Sequence, residues 1–185
     1  VAQLVIVSLH WGIHFVPGVL ADYQRVVAHQ LIDAGADLIL GHHPHILKPI
    51  EVYRGKVIFY SLGNFATDLP FTPELAQQPS FREIQQLNPE WVPDPDVLYN
   101  CPPESMRTMV AKCLASPRGI EKVSFLPAYI DRQTARPRIL PASEDRFWDV
   151  LEYVQRITSS QHLSTSYRVE GDEVVIEEGA WVSPG

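Results

Sequence analysis

Four of the seven histidines fall at just two places, His10 and the run Gly41-His42-His43-Pro44-His45. Neutral imidazole is a borderline ligand suited to Zn, Mn, Fe, Co or Ni. One residue separates His43 from His45, so on an extended segment both rings point to the same side. On a tight loop, which Gly41 and Pro44 favour, they can converge on one centre, and His10 is placed to supply a third nitrogen. His14 follows Trp11-Gly12 and either lines the same cleft or packs structurally. His29 and His162 read as ordinary surface or packing residues. The competing reading of each histidine is a packing or hydrogen-bonding role, and the clustering is what sets these apart. The carboxylate half of a hydrolytic site is missing. Two dications a few ångströms apart repel strongly unless carboxylates bridge them. Asp37 begins a strand at the wrong end, Asp22 and Asp33 lie on a helix, and Asp68 is the acidic candidate near the right edge.

The elements that must position these residues follow from periodicity. Residues 1–9 form an apolar run, and Asp37-Leu38-Ile39-Leu40 a second one. Between them Leu20, Tyr23, Val27, Leu31 and Ala34 recur at helical spacing, predicting a helix over about 19–34 stopped by Gly35. Strand, helix, strand predicts a right-handed βαβ crossover with parallel strands. The histidines then fall at the C-terminal strand edge, where open α/β sheets bind ligands. A hairpin follows, turning at Arg54-Gly55-Lys56 and running into Ser61-Leu62-Gly63-Asn64-Phe65. The stretch 70–103 holds 8 of the 16 prolines, which predicts an irregular surface excursion near the cleft. Further hairpins are expected over 106–130 and around Glu170-Gly171-Asp172. A second helix is expected over about 143–158, with Ser143 as N-cap and Phe147, Val150, Leu151, Val154 and Ile157 on its inner face. The fold class is α/β, with a mixed sheet, two main helices and C-terminal hairpins.

Composition narrows the partners. The chain has 185 residues, a net charge of −7 and a pI near 5.4. That balance, with no clustered Lys/Arg stripe, argues against nucleic acid. No apolar run approaches the roughly 18 residues of a membrane span. Two cysteines, Cys101 and Cys113, allow one bridge and no disulfide framework. The chain opens without Met inside an apolar strand, which suggests the C-terminal part of a longer protein.

Four segments carry a resemblance: Val7-Ser8-Leu9-His10-Trp11-Gly12, Ile32-Asp33-Ala34-Gly35-Ala36-Asp37, Gly41-His42-His43-Pro44-His45 and Phe59-Tyr60-Ser61-Leu62-Gly63-Asn64-Phe65. In order and spacing they resemble the C-terminal part of the bacterial capsule-synthesis CapA family. These are poly-γ-glutamate biosynthesis proteins of the calcineurin-like metallophosphoesterase superfamily. The resemblance implies that residues 1–185 form part of a single domain with an αββα sandwich, 70–103 being a proline-rich insertion. It also implies a metal site in which His10 matches the lone histidine after a strand. His45 then matches the last residue of a Gly-His-x-His element and His43 the first, with His42 the alternative to His43. Asn64, His14 and Trp11 are the weaker candidates for substrate contact. In such a site His10, His43 and His45 serve catalysis with two divalent ions (Mn, Fe or Zn) in the full-length domain. The ions would activate water to hydrolyse a phosphoester or related bond of an anionic small molecule or polymer.

The superfamily's first-half motifs (Asp, Asn and His) do not occur in this chain. The missing N-terminal half of the domain is therefore an expected partner, and 1–185 alone is expected to be inactive. The alternative is a non-catalytic polymer-handling or assembly module that keeps the fold. The compartment stays open. For a bacterial protein of this family, cell-envelope location and membrane association through an upstream segment are among the expectations.

Overall fold

Strand β1 (Ile6–His10), helix α1 (Asp22–Asp33) and strand β2 (Leu38–His42) form the parallel crossover that the periodicity predicts, in a computed structural model that describes residues 3–67 and 70–179. The pairing runs from Ile6 opposite Leu38 to His10 opposite His42. Strands β3 (Ile50–Tyr53) and β4 (Lys56–Phe59) make the hairpin, and β4 lies parallel to β2. The resulting sheet is mixed, in the order β1-β2-β4-β3. A second sheet is antiparallel. It is built from β5 (Arg107–Ser116), β6 (Gly119–Ile130), β7 (Pro137–Ile139), β8 (Thr165–Glu170) and β9 (Glu173–Glu178). The class is α/β. The predicted strand over 1–9 begins only at Ile6, residues 3–5 not being strand, and Val1 and Ala2 lie outside the described residues.

Period-two alternation assigns the two faces of the first sheet. Ile39 and Ile58 turn toward α1 and pack with Ala28, Ile32, Trp11 and Tyr60. Leu38, Val57 and Phe59 turn the other way, into the larger core. There they meet the second sheet through Met109, Phe125 and Val174, and helix α4 (Asp145–Ser159) through Phe147, Val150, Leu151, Val154 and Ile157. All five of those α4 residues are the ones the sequence places inward. Arg107 ties β5 to α4 with a two-pronged pair to Asp149 at 2.9 and 3.0 Å.

Three local expectations are corrected. Helix α1 buries Gln24, Ala28 and Ile32, one residue out of step with the predicted face, and Tyr23 is half exposed. Tyr23 instead reaches back so that its hydroxyl accepts the Gly12 N–H at 2.9 Å. The N-cap of α4 is Glu144, without a side-chain cap, rather than Ser143. The stretch 70–103 is not irregular throughout. It holds α2 (Pro73–Gln77) and α3 (Pro79–Leu87), each opening on a proline. Proline at the first helical position lacks only an N–H that would be unpaired there anyway. The side-chain oxygen of Thr72 caps α2 at Leu75 N–H.

Strand β1 is the free edge of the first sheet, and Val5 and Ile6 stand 41% and 48% exposed while Leu38 opposite is buried. None of the described helices is long and apolar enough to cross a membrane. Both cysteines are free, Cys101 buried and Cys113 exposed.

Where β2 ends, its backbone lies against Tyr60, and a Cβ on Gly41 would sit 2.1 Å from the Tyr60 carbonyl oxygen. Only glycine allows that approach, and the Gly41 carbonyl accepts the Leu62 N–H at 3.1 Å. Gly41→Ala is therefore expected to cost about 3 kcal/mol of stability, since the clash is with backbone and not with a movable side chain. Urea denaturation measures it. A loss below about 1 kcal/mol would show that the strand ends can part without penalty.

Candidate functional site

Two backbone features bring the histidines together. Parallel pairing sets His10 level with His42. The chain then reverses through Pro44 with His43 at φ +98° and His45 at φ +60°. Positive φ costs a non-glycine residue on the order of 1–3 kcal/mol and persists only where surrounding contacts over-determine it. Those contacts are present. Trp11 N–H donates to the His42 carbonyl at 3.0 Å, Phe15 N–H to the Pro44 carbonyl at 3.1 Å, and the Trp11 indole N–H to the Tyr60 carbonyl at 3.1 Å.

His10, His14, His43 and His45 form one cluster. Nδ1 of His43 lies 2.8 Å from Nε2 of His10, so one proton is shared between them. The His14 ring centre is 3.9 Å from that of His43 and 5.7 Å from that of His45, while His43 and His45 are 6.4 Å apart. Phe15 stacks on His45 at 5.5 Å, the ring planes nearly parallel. His42 makes none of these ring contacts and contributes its backbone. Trp11 is buried, stacked at 5.8 Å on Tyr60, and serves packing. His29 pairs with Glu51 at 2.9 Å, away from the cluster.

Burial first, and then the charge of its neighbour, holds two of these rings below the ordinary imidazole value: His14 (neighbour His45) and His43 (neighbour His14). Glu83 on α3 pulls both in the opposite direction. Sequence reasoning missed this carboxylate, because α3 was not foreseen. Asp68 lies outside the described residues.

Asn64 is anchored on both sides of its amide. Its Oδ1 accepts from Nδ1 of His45 at 2.8 Å, and its Nδ2 donates to the Tyr99 hydroxyl at 2.7 Å. Tyr99 in turn donates to the Ser105 carbonyl at 2.9 Å. The relay fixes the proton of His45 on Nδ1 and leaves Nε2 with a free lone pair aimed away from Asn64. Such outer partners orient histidines that bind metals or protons. Tyr99, buried in the 70–103 stretch, carries no sequence signal for this role. Lys48 was equally invisible. It is fully buried and donates to the carbonyls of Val16 and Val19 at 2.5 and 2.7 Å, pinning the loop that carries His14.

The donor set tests the metal expectation. Among the described residues no three His, Cys, Asp or Glu side chains are arranged to hold a metal ion. Two of the four imidazoles face each other at hydrogen-bond distance. These residues by themselves do not fit a two-metal centre.

Similarity to known proteins covers the same region. Residues 1–69 match the model for "Bacterial capsule synthesis protein PGA_cap". The chain is 55% identical over 71 residues to the PGA biosynthesis protein CapA of Bacillus subtilis, a match covering 38% of this chain and 18% of that protein. It is 46% identical over 71 residues to the capsule biosynthesis protein CapA of Bacillus anthracis, covering 38% and 17%. An uncharacterized protein of Sinorhizobium fredii, y4sH, is 36% identical over 125 residues, covering 65% of this chain and 26% of its own, so the likeness runs past residue 69. The chain thus spans under a fifth of the CapA relatives and about a quarter of the third.

Two tests follow from the geometry. Tyr99→Phe leaves the Asn64 amide without its acceptor. The expected loss is about 1–3 kcal/mol of stability, together with a mixed Nδ1/Nε2 tautomer at His45 in place of a single one. Nitrogen-15 NMR of the imidazoles reads the tautomer, and an unchanged single tautomer would break the relay. Lys48, with its pKa lowered to about 8 by burial, gives a pH window. Between about pH 8 and 10.5 the unfolded chain binds the proton more strongly, so stability from this group rises with pH across that window; below it the burial cost is present in full. In Lys48→Met that rise, relative to wild type in denaturant titrations, is expected to vanish. Parallel pH curves for the two proteins would contradict the assignment.

Proposed function

Through residues 1–69 the chain belongs to the bacterial capsule synthesis (CapA) family, and on that premise we propose that it carries the histidine-bearing half of a metallophosphoesterase-type site in a capsule, poly-γ-glutamate, synthesis protein. The site acts on an anionic substrate, a phosphoester or related bond, once the upstream half of the domain is present. The observation that carries this reading is the meeting of His10, His14, His43 and His45 at the C-terminal strand edge, with His45 oriented by Asn64 and Tyr99.

Within that reading the divalent ions, held with carboxylates from upstream, would supply the activated water. This chain's own residues do three things. His45 presents a fixed Nε2 lone pair. His10 and His43 hold one proton between them and can pass it to an oxygen that develops charge. The Lys48-pinned loop keeps His14 against His43 and screens the cluster from one side. The exposed edge of β1, with Val5 and Ile6, is the surface on which the upstream half would pair and pack.

A second reading is a polymer-handling or assembly module that keeps the fold without turnover. That no three His, Cys, Asp or Glu side chains among the described residues are arranged to hold a metal ion supports it. The two are separated by the protein as it stands and by a version that includes the upstream half. The 185-residue chain is expected to show negligible metal-dependent hydrolysis of bis-p-nitrophenyl phosphate and weak Mn or Zn binding by calorimetry. The extended protein is expected to turn over the ester at a rate that His45→Ala cuts at least 100-fold. Tight two-metal stoichiometry in 1–185 alone would overturn the half-site assignment. An inert extended protein would leave the assembly reading standing.

A further inference from the structure

A cavity of about 310 Å³ opens directly beside the histidine cluster. His14, Phe15 and His45 form one wall, and the others come from the proline-rich stretch: Leu75 of α2, Phe81 and Ile84 of α3, and Cys101. Among the described residues no lysine, arginine, aspartate or glutamate lines it; Gln78, Ser80 and Asn100 are its neutral polar members. Its walls are mostly hydrocarbon and aromatic carbon, and the Cys101 thiol, pushed up to about 11 by burial, is a small apolar group there and not a nucleophile. Phe81 is itself held rigid, packed at 5.6 Å on Trp91 and 5.7 Å on Phe71. The volume lies at the lower end of small-molecule sites, which are typically apolar with a few convergent polar groups. At ~30 Å³ per atom-sized group, it has room for roughly ten carbons.

The polar and apolar halves of this region point at one kind of molecule. His14 and His45 stand at the mouth, against His43, and on the half-site reading this is where the anionic phosphoryl head would sit. A chamber without a cation disfavours a second anionic group behind it, since an unpaired charge loses its hydration there. Resting on the anion-site reading above, we propose that the ligand is amphipathic: a phosphoester whose alcohol portion is an aliphatic group of about ten carbons, seated between α3 and Phe15. A polyanionic chain has no group to offer this chamber. The α2–α3 segment is, on this view, the specificity element of the site.

The test compares three probes on the purified protein by calorimetry, all below their micelle-forming concentrations: inorganic phosphate, decyl phosphate and decanol. Decyl phosphate is expected to bind at least 10-fold more tightly than either of the others. Ile84→Asp, with Leu75→Asp as a second half-buried site should the first disturb folding, is expected to reduce the decyl-to-inorganic phosphate affinity ratio at least 5-fold, helix content by circular dichroism being checked for each. Equal affinities for decyl phosphate and inorganic phosphate would overturn the apolar subsite and leave the anion site intact. An advantage that survives both aspartate variants would do the same. Decanol matching decyl phosphate, with no phosphate binding, would overturn the anion reading and with it the amphipathic ligand.

Discussion

Parallel pairing of β1 with β2 is the interaction on which the rest of the site depends. It stops both strands at one level, so that His10 and the His42–His45 run leave the sheet side by side. Were the strands antiparallel, these segments would sit at opposite ends of the sheet. The pairing requires a crossover, and α1 provides it by burying Ala28 and Ile32 on the Ile39–Ile58 face. A second demand follows at the end of β2, where the backbone must touch Tyr60; Gly41 alone permits this. The reach of His43 and His45 is therefore set by a residue with no side chain.

Strain is concentrated just beyond that point and offset nearby. His43 and His45 both adopt positive φ, and every neighbouring group that holds them belongs to another segment: Trp11 and Phe15 from the loop after β1, Asn64 from the loop after β4, Tyr99 from the proline-rich stretch. Lys48 adds a buried cation whose two accepted partners are backbone carbonyls rather than a carboxylate. Burying a cation this way costs stability, and the return is a loop that cannot drift away from the rings. The site is thus over-determined by contacts of long sequence separation.

That distribution explains what could be read from the residues alone. The βαβ unit, the hairpins and the inner face of α4 announce themselves through local period, because one face of each element is buried against a continuous core. The histidine grouping was legible for the same reason: it sits at the ends of strongly patterned strands. Tyr99, Lys48 and Glu83 were not legible, since each acts across a gap of 29 or more residues and no local pattern marks the partner. Asn64 was picked out for a ligand-facing role, whereas its amide is spent on His45 and Tyr99. Proline misled in the 70–103 stretch because its usual meaning, a break, reverses at the first turn of a helix.

The short helices opened by those prolines change what the cleft is. With strands and histidines alone, the edge would be an open, water-filled shelf where imidazoles compete with bulk solvent for any anion. Phe81 and Ile84 wall one side of it, and burial holds the His14 pKa below the ordinary imidazole value, favouring the neutral ring. A neutral imidazole can accept a proton or bind a metal, which an imidazolium cannot. Burial at this cavity therefore keeps the nitrogens chemically available. Shape and basicity thus meet at one place in the fold, the cavity that α3 and the His14 loop line together.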